Sequence, residues 1–228
     1  MSRIKALFAI VFGLVAWYAV AIATDYLLTR ELGLERGMRY AVLGAAQLTL
    51  GGAAIWLAAR MARLRPAELG FTTQNMHRDV TIGLGIAIAF AVLQFGLIIP
   101  ATGGAERSDI VANNAQLGDA PSGLAGFLVL ALLGSTAEEL LFRGLMLGGI
   151  ALVLGGGVAS RITATVIVVV LFALGHGYQG WAGVIDTGIY GGLTLSLLYW
   201  WRGARLAAPI AAHVGWNAIA AVTLFTIY

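Results

Sequence analysis

The stretch 122–150, SGLAGFLVLALLGSTAEELLFRGLMLGGI, decides the fold. A helix that crosses a bilayer needs roughly 20 mostly apolar residues. This run is longer than that, yet it holds Glu138, Glu139 and Arg143. Ionisable groups at membrane depth are costly, and by default they mark a functional site. Working outward, further apolar runs lie at 6–24, 40–59 and 80–98 on one side and at 162–175, 181–201 and 206–226 on the other. The sequence therefore predicts an all-α, polytopic transmembrane bundle of seven helices, or eight if the long run breaks at Gly148-Gly149, forming a single integral membrane domain over 1–228. Between the third and fourth runs, the polar segment 101–121 with Glu106, Arg107, Asp109 and Asp119 reads as a loop, and Gly155-Gly156-Gly157 as a break.

Composition excludes the alternatives. The chain is 60% hydrophobic and only 11% charged, against about 25% charged in a soluble domain. Such a surface suits lipid, and so much apolar area would not stay solvated as a disordered chain. With no cysteine, disulfides, thiolate metal sites and cysteine catalysis are ruled out. The run 6–24 follows Arg3 and Lys5 like a signal peptide, but its apolar length and the spans behind it predict a retained helix.

Lys and Arg are retained on the cytoplasmic side during insertion. With the N-terminus inside, the inner segments hold Arg3, Lys5, Arg60, Arg63, Arg65, Arg78, Arg161, Arg202 and Arg205, and the outer ones Arg30, Arg36, Arg39 and Arg107. Nine against four predicts a cytoplasmic N-terminus and an external C-terminus. Glu31 and Glu35 are local partners for the cluster 30–39. Many of the 31 glycines suit close packing of helices in lipid, as in the pairs Gly188/Gly192 and Gly83/Ala87.

The informative polar residues are Glu138, Glu139, Arg143, His176, Asp186, His213 and Asn217. Adjacent helical residues point about 100° apart, so Glu138 and Glu139 cannot share one partner equally. Glu139 and Arg143 are spaced i,i+4 and face each other, which leaves Glu138 free for chemistry. Phe172 shares a face with His176, and His213 with Asn217. At a rise of about 1.5 Å per residue, Glu138, His176 and His213 fall within about 7 Å of one another in depth. That convergence requires the fourth helix to run unbroken to Gly149.

A carboxylate beside an imidazole in a wet intramembrane cavity can activate water. A second imidazole and an amide can donate to an oxyanion. This assembly suits peptide-bond hydrolysis, whereas neither Ser135 nor Thr136 has a base at an evident position. Two imidazoles and a carboxylate also make a zinc set, so Zn2+ held by Glu138, His176 and His213 is the competing mechanism. No contiguous H-E-x-x-H motif is present. Asp186 reads as interfacial, Tyr178 and Gln179 as lining a cavity mouth, and Trp181 as an interface marker.

These residues carry a family resemblance. Glu138-Glu139-Leu140-Leu141-Phe142-Arg143 resembles the EExxxR signature of the CAAX protease and bacteriocin-processing (CPBP, or Abi) family of intramembrane proteases. Phe172-Ala173-Leu174-Gly175-His176 is similar to its FxxxH motif, and His213-Val214-Gly215-Trp216-Asn217 to its HxxxN form. The three occur in order, each on an apolar run, and the resemblance covers a catalytic core at about 119–220. It implies an intramembrane endopeptidase acting on a membrane-embedded or lipid-anchored protein or peptide, like type II CAAX prenyl endopeptidases. By motif, Glu138 and His176 activate the water, His213 and Asn217 steady the oxyanion, and Glu139 with Arg143 holds the helix. The family is described both as metalloprotease and as glutamate protease, so both mechanisms stay open here.

The resemblance and the compact length imply a bacterial or archaeal plasma membrane, where processing of small peptides or immunity to bacteriocins replaces prenylated substrates. The competing functions are a proton-coupled transporter, which needs polar groups at several depths, and a non-proteolytic membrane scaffold. The basic residues are dispersed and form no aromatic-lined groove, so no nucleic-acid partner is expected.

Overall fold

The structure, a computed structural model, describes residues 2–34 and 36–228. The chain is an all-helical polytopic bundle. Its helices are α1 (Arg3–Glu31), α2 (Met38–Ala62), α3 (Met76–Ala101), α4 (Ser108–Leu117), α5 (Pro121–Val153), α6 (Val158–Gly175), α7 (residues 180–201) and α8 (Ala207–Ile227). Among the described residues, six are long and apolar enough to cross a membrane, namely α1, α2, α3, α5, α6 and α8. The helix α7, interrupted by Asp186, Tyr190 and several glycines, falls outside that set. It nevertheless runs the depth of the bundle beside α3. Near one end Asp186 meets Gln94 in the last part of α3, and just past the other Arg202 binds Asp79 in the first turn of α3.

Local sequence sets the boundaries. Pro121 occupies the first turn of α5, where its missing N–H costs nothing. A left-handed Arg63 (φ 57°) ends α2, and Gly180 at φ +73° makes the tight turn into α7. The helix α5 does not break at Gly148-Gly149. It passes from α-helical to π-helical geometry over Leu140–Gly148 and continues to Val153, so the unbroken helix on which the depth estimate relied is present.

Packing follows the small residues. A side chain at Gly83 would strike the Ala208 carbonyl 2.3 Å away on α8, and Gly192 lies against Val169 of α6. Both glycine pairs read from the sequence are helix-packing points. The outer surface is apolar, with Phe8, Leu174 and Trp181 at 71%, 63% and 79% exposure, as expected where the surrounding medium is hydrocarbon.

Two differences from the sequence reading bear on the site. The segment 101–121 is not a plain loop, because it contains α4, which buries Ile110 and Leu117 against Ile99 and Leu224. Two apolar anchors a full two turns apart gave no amphipathic signal, since α3 and α8 supply most of the apolar surface. Within the cluster 30–39, Arg39 pairs with Asp25 at 2.7 Å, while Glu35 lies outside the described residues.

Candidate active site

The bundle has two unlike halves. Towards the face that carries the N-terminus, Leu141, Leu145, Leu147, Leu195 and Tyr199 are fully buried and close the interior. Towards the opposite face lies a cavity of about 860 Å³ into which Glu138, His176, His213 and Asn217 all look.

The helix α5 brings the two glutamates in at different angles. Glu139 is fully buried, and its Oε1 accepts from Arg143 Nη1 at 2.8 Å and from His213 Nδ1 at 2.7 Å. Among the described residues its Oε2 has no hydrogen-bond partner, and neither has Arg143 Nε. Arg143 donates further to the Gly192 carbonyl at 3.4 Å, and its guanidinium lies 4.8 Å from the Phe172 ring centre, a cation–π contact that partly replaces the lost water. Gly191 makes room for that ring, because a Cβ there would sit 2.3 Å from Phe172. The π-helical turns begin directly after Glu139, and such distortions concentrate at functional sites. Glu138, one residue earlier, turns its partly exposed carboxylate into the cavity.

His213 stands between the two carboxylates. Its Nδ1 faces Glu139, and its Nε2 lies 3.9 Å from Glu138 Oε2, beyond direct hydrogen bonding. An ionised carboxylate only accepts, so Nδ1 carries the proton and Nε2 is the reactive edge turned to the cavity. His176 sits just past the last turn of α6, where its Nδ1 contacts the Phe172 carbonyl at 2.9 Å. A carbonyl cannot donate, so this nitrogen is also N–H and Nε2 is left as the base-competent atom. Asn217, one turn along α8 from His213, donates from Nδ2 to Ser135 Oγ at 2.8 Å. Ser135, dismissed as a nucleophile for lack of a base, thus acts as a brace for the amide.

The cavity wall extends beyond the residues singled out from the sequence. Tyr18 of α1, Gln47 of α2 and Gln94 of α3 line it with Tyr178 and Gln179. Gln47 and Gln94 are uncharged polar groups inside the apolar runs 40–59 and 80–98, and their position there is the sequence signal for this part of the wall. Across the mouth, α4 is tied down by Ser108 Oγ, which donates to the Gln179 carbonyl at 2.9 Å. A buried guanidinium, Arg107, binds Asp109 and Asp186 there. Hydrogen bonding from Asp109 and then Asp186 holds that arginine above its ordinary pKa range. Asp186 is accordingly a strut of the mouth, bound to Arg107 and to Gln94.

The zinc alternative does not fit. Among the described residues, no group of three His, Cys, Asp or Glu side chains is placed to hold a metal ion. Glu138, His176 and His213 share a cavity without closing on one point.

Residues 120–219 match the model of a family described as Type II CAAX prenyl endopeptidase Rce1-like. No curated protein and no solved structure matches the chain. Over this stretch the chain carries a CAAX-protease-like domain, which supports a protease-like role at the level of the family within a polytopic membrane bundle.

Proposed function

We propose that this protein is an intramembrane endopeptidase of the glutamate–histidine type, hydrolysing a membrane-embedded or lipid-anchored protein or peptide. Glu138 is the base. Its carboxylate takes a proton from a water also hydrogen-bonded to His176 Nε2, and the resulting hydroxide attacks the scissile carbonyl. The C–O bond forms as the carbonyl π bond opens to an oxyanion. Collapse of that intermediate expels the amine, which receives the proton held on Glu138, so atoms and charge return to their starting state.

His213 and Asn217 face the oxyanion. Glu139 fixes the orientation of the His213 ring through Nδ1, so that Nε2 points into the cavity. Fixed donors in a site poor in water stabilise developing charge without reorganising. Arg143 balances Glu139, and together they hold α5 and the imidazole in register. The distribution of basic residues supports a cytoplasmic N-terminus, and the family resemblance supports a bacterial or archaeal plasma membrane.

The observation that carries this reading is the placement of consecutive glutamates against the two ring nitrogens of His213, one at 2.7 Å and buried, the other at 3.9 Å and facing the cavity. One glutamate is structural by its contacts, which leaves the other as the reactive carboxylate.

Glu138→Gln tests it. The amide keeps the shape and removes the base. Cleavage of an internally quenched, lipidated peptide by the purified protein should fall by about 10²–10⁴-fold with unchanged thermal stability. Retained cleavage would remove Glu138 from the chemistry.

A further inference from the structure

The residues lining the cavity have one feature in common that the proposed chemistry does not use. They come from the last part of α1 (Asp25, Thr29), the end of α3 (Ile99), the mouth helix α4 (Asn113) and the end of α8 (Leu224). All of these lie at the face opposite the N-terminus. The rim residues Ile22, Tyr26 and Tyr178 are 66%, 59% and 58% exposed, so the cavity opens on that face and sideways at its apolar edge. The other direction is shut by the fully buried layer of Leu141, Leu145 and Tyr199, where Gly148 brings α5 within contact of the Tyr199 hydroxyl.

The two faces differ in charge. The face without the mouth carries Arg3, Lys5, Arg60, Arg63, Arg78 and Arg161, together with Arg65, Arg202 and Arg205. The mouth face carries four basic residues, Arg30, Arg36, Arg39 and Arg107. Because Lys and Arg are held back on the cytoplasmic side, the closed face is cytoplasmic and the mouth is external.

We infer that the catalytic cavity is reached from the non-cytoplasmic side, and that its substrate is a peptide or lipid-anchored polypeptide presented in the outer leaflet. A cytoplasmic prenylated protein would meet the closed layer instead. The inference rests on the proposed proteolysis for the substrate's class, but the direction of access stands on geometry and charge alone.

The absence of cysteine allows both parts to be tested separately. Ala105→Cys at the mouth face and Thr73→Cys at the opposite face each create a single thiol at an exposed position outside the site. A membrane-impermeant maleimide applied to intact cells should label the first variant, and should label the second only after permeabilisation. The reverse pattern overturns the inference. In proteoliposomes oriented by the same labels, a palmitoylated, internally quenched peptide confined to one leaflet should be cleaved only from the Ala105 side. Cleavage from the Thr73 side alone also overturns it. External labelling with no cleavage from either leaflet would refute the proteolytic reading and the substrate assignment, while leaving the external mouth established.

Discussion

Asp79 and Glu139, two of the buried carboxylates that meet arginines, do so differently. At the closed face, Asp79 spends both oxygens. Oδ1 accepts from Arg202 Nε at 2.8 Å and from Arg205 Nη2 at 3.0 Å, and Oδ2 accepts from Arg205 Nε at 2.6 Å. Every lone-pair direction that matters is used, and the result ties the start of α3 to the turn between α7 and α8. In the middle of the bundle, Glu139 loads Arg143 and His213 onto the single oxygen Oε1 and leaves Oε2 without a partner. A fully satisfied cluster is a clasp. One that accepts from an arginine and an imidazole on a single oxygen couples the packing of α5 to the orientation of a ring in the cavity.

The largest expected effect comes from breaking the central cluster. Glu139→Gln leaves Arg143 buried without a counter-charge, which should cost about 3–5 kcal/mol of stability, read as a lowered thermal unfolding temperature in detergent, with cleavage lost. Combining Glu139→Leu with Arg143→Met removes both charges and should recover most of that stability while remaining inactive. Recovered activity in the double variant would show the cluster to be packing alone.

Asp79→Asn should be the converse. Asp79 is fully buried and Arg202 nearly so, and the amide keeps one acceptor oxygen for them, so the loss should be about 1–3 kcal/mol. The surviving folded protein should cleave at an unchanged kcat. A fall in kcat at constant folded fraction would mean that the clasp communicates with the cavity.

The smallest effect belongs to Ser135→Ala. It removes one neutral hydrogen bond, worth about 0.5–1.5 kcal/mol, and frees the Asn217 amide to rotate. A modest drop in kcat with KM unchanged is the expected signature of a brace. No change in kcat would remove Asn217 orientation from the mechanism.

The contrast between clasp and site also separates what could be read in advance from what could not. Glu139 and Arg143 were legible as a pair because i,i+4 spacing on a helix fixes their separation. Glu138 was legible as the free carboxylate because it is one residue away and so about 100° around the axis. Asp79 was invisible as a buried ion: it stands at the head of a span beside His77 and Arg78, and its partners come from more than a hundred residues later in the chain. The mouth helix α4 escaped for a related reason, since its own sequence offers too few apolar residues to bury it and the surface that holds it belongs to other helices. The zinc set failed because residue types indicate ligand chemistry but do not indicate whether three side chains converge on one point.

Composition alone assigns most of this chain to lipid and marks the few polar residues the membrane tolerates, because burial in hydrocarbon is a property of a segment's own residues. Only the tertiary structure decided that His213 leans on Glu139, that Asn217 is steadied by Ser135, and that the cavity is closed on the face that carries the N-terminus. Those outcomes depend on how distant helices are rotated and how closely their glycines let them approach, and a linear order of residues states neither.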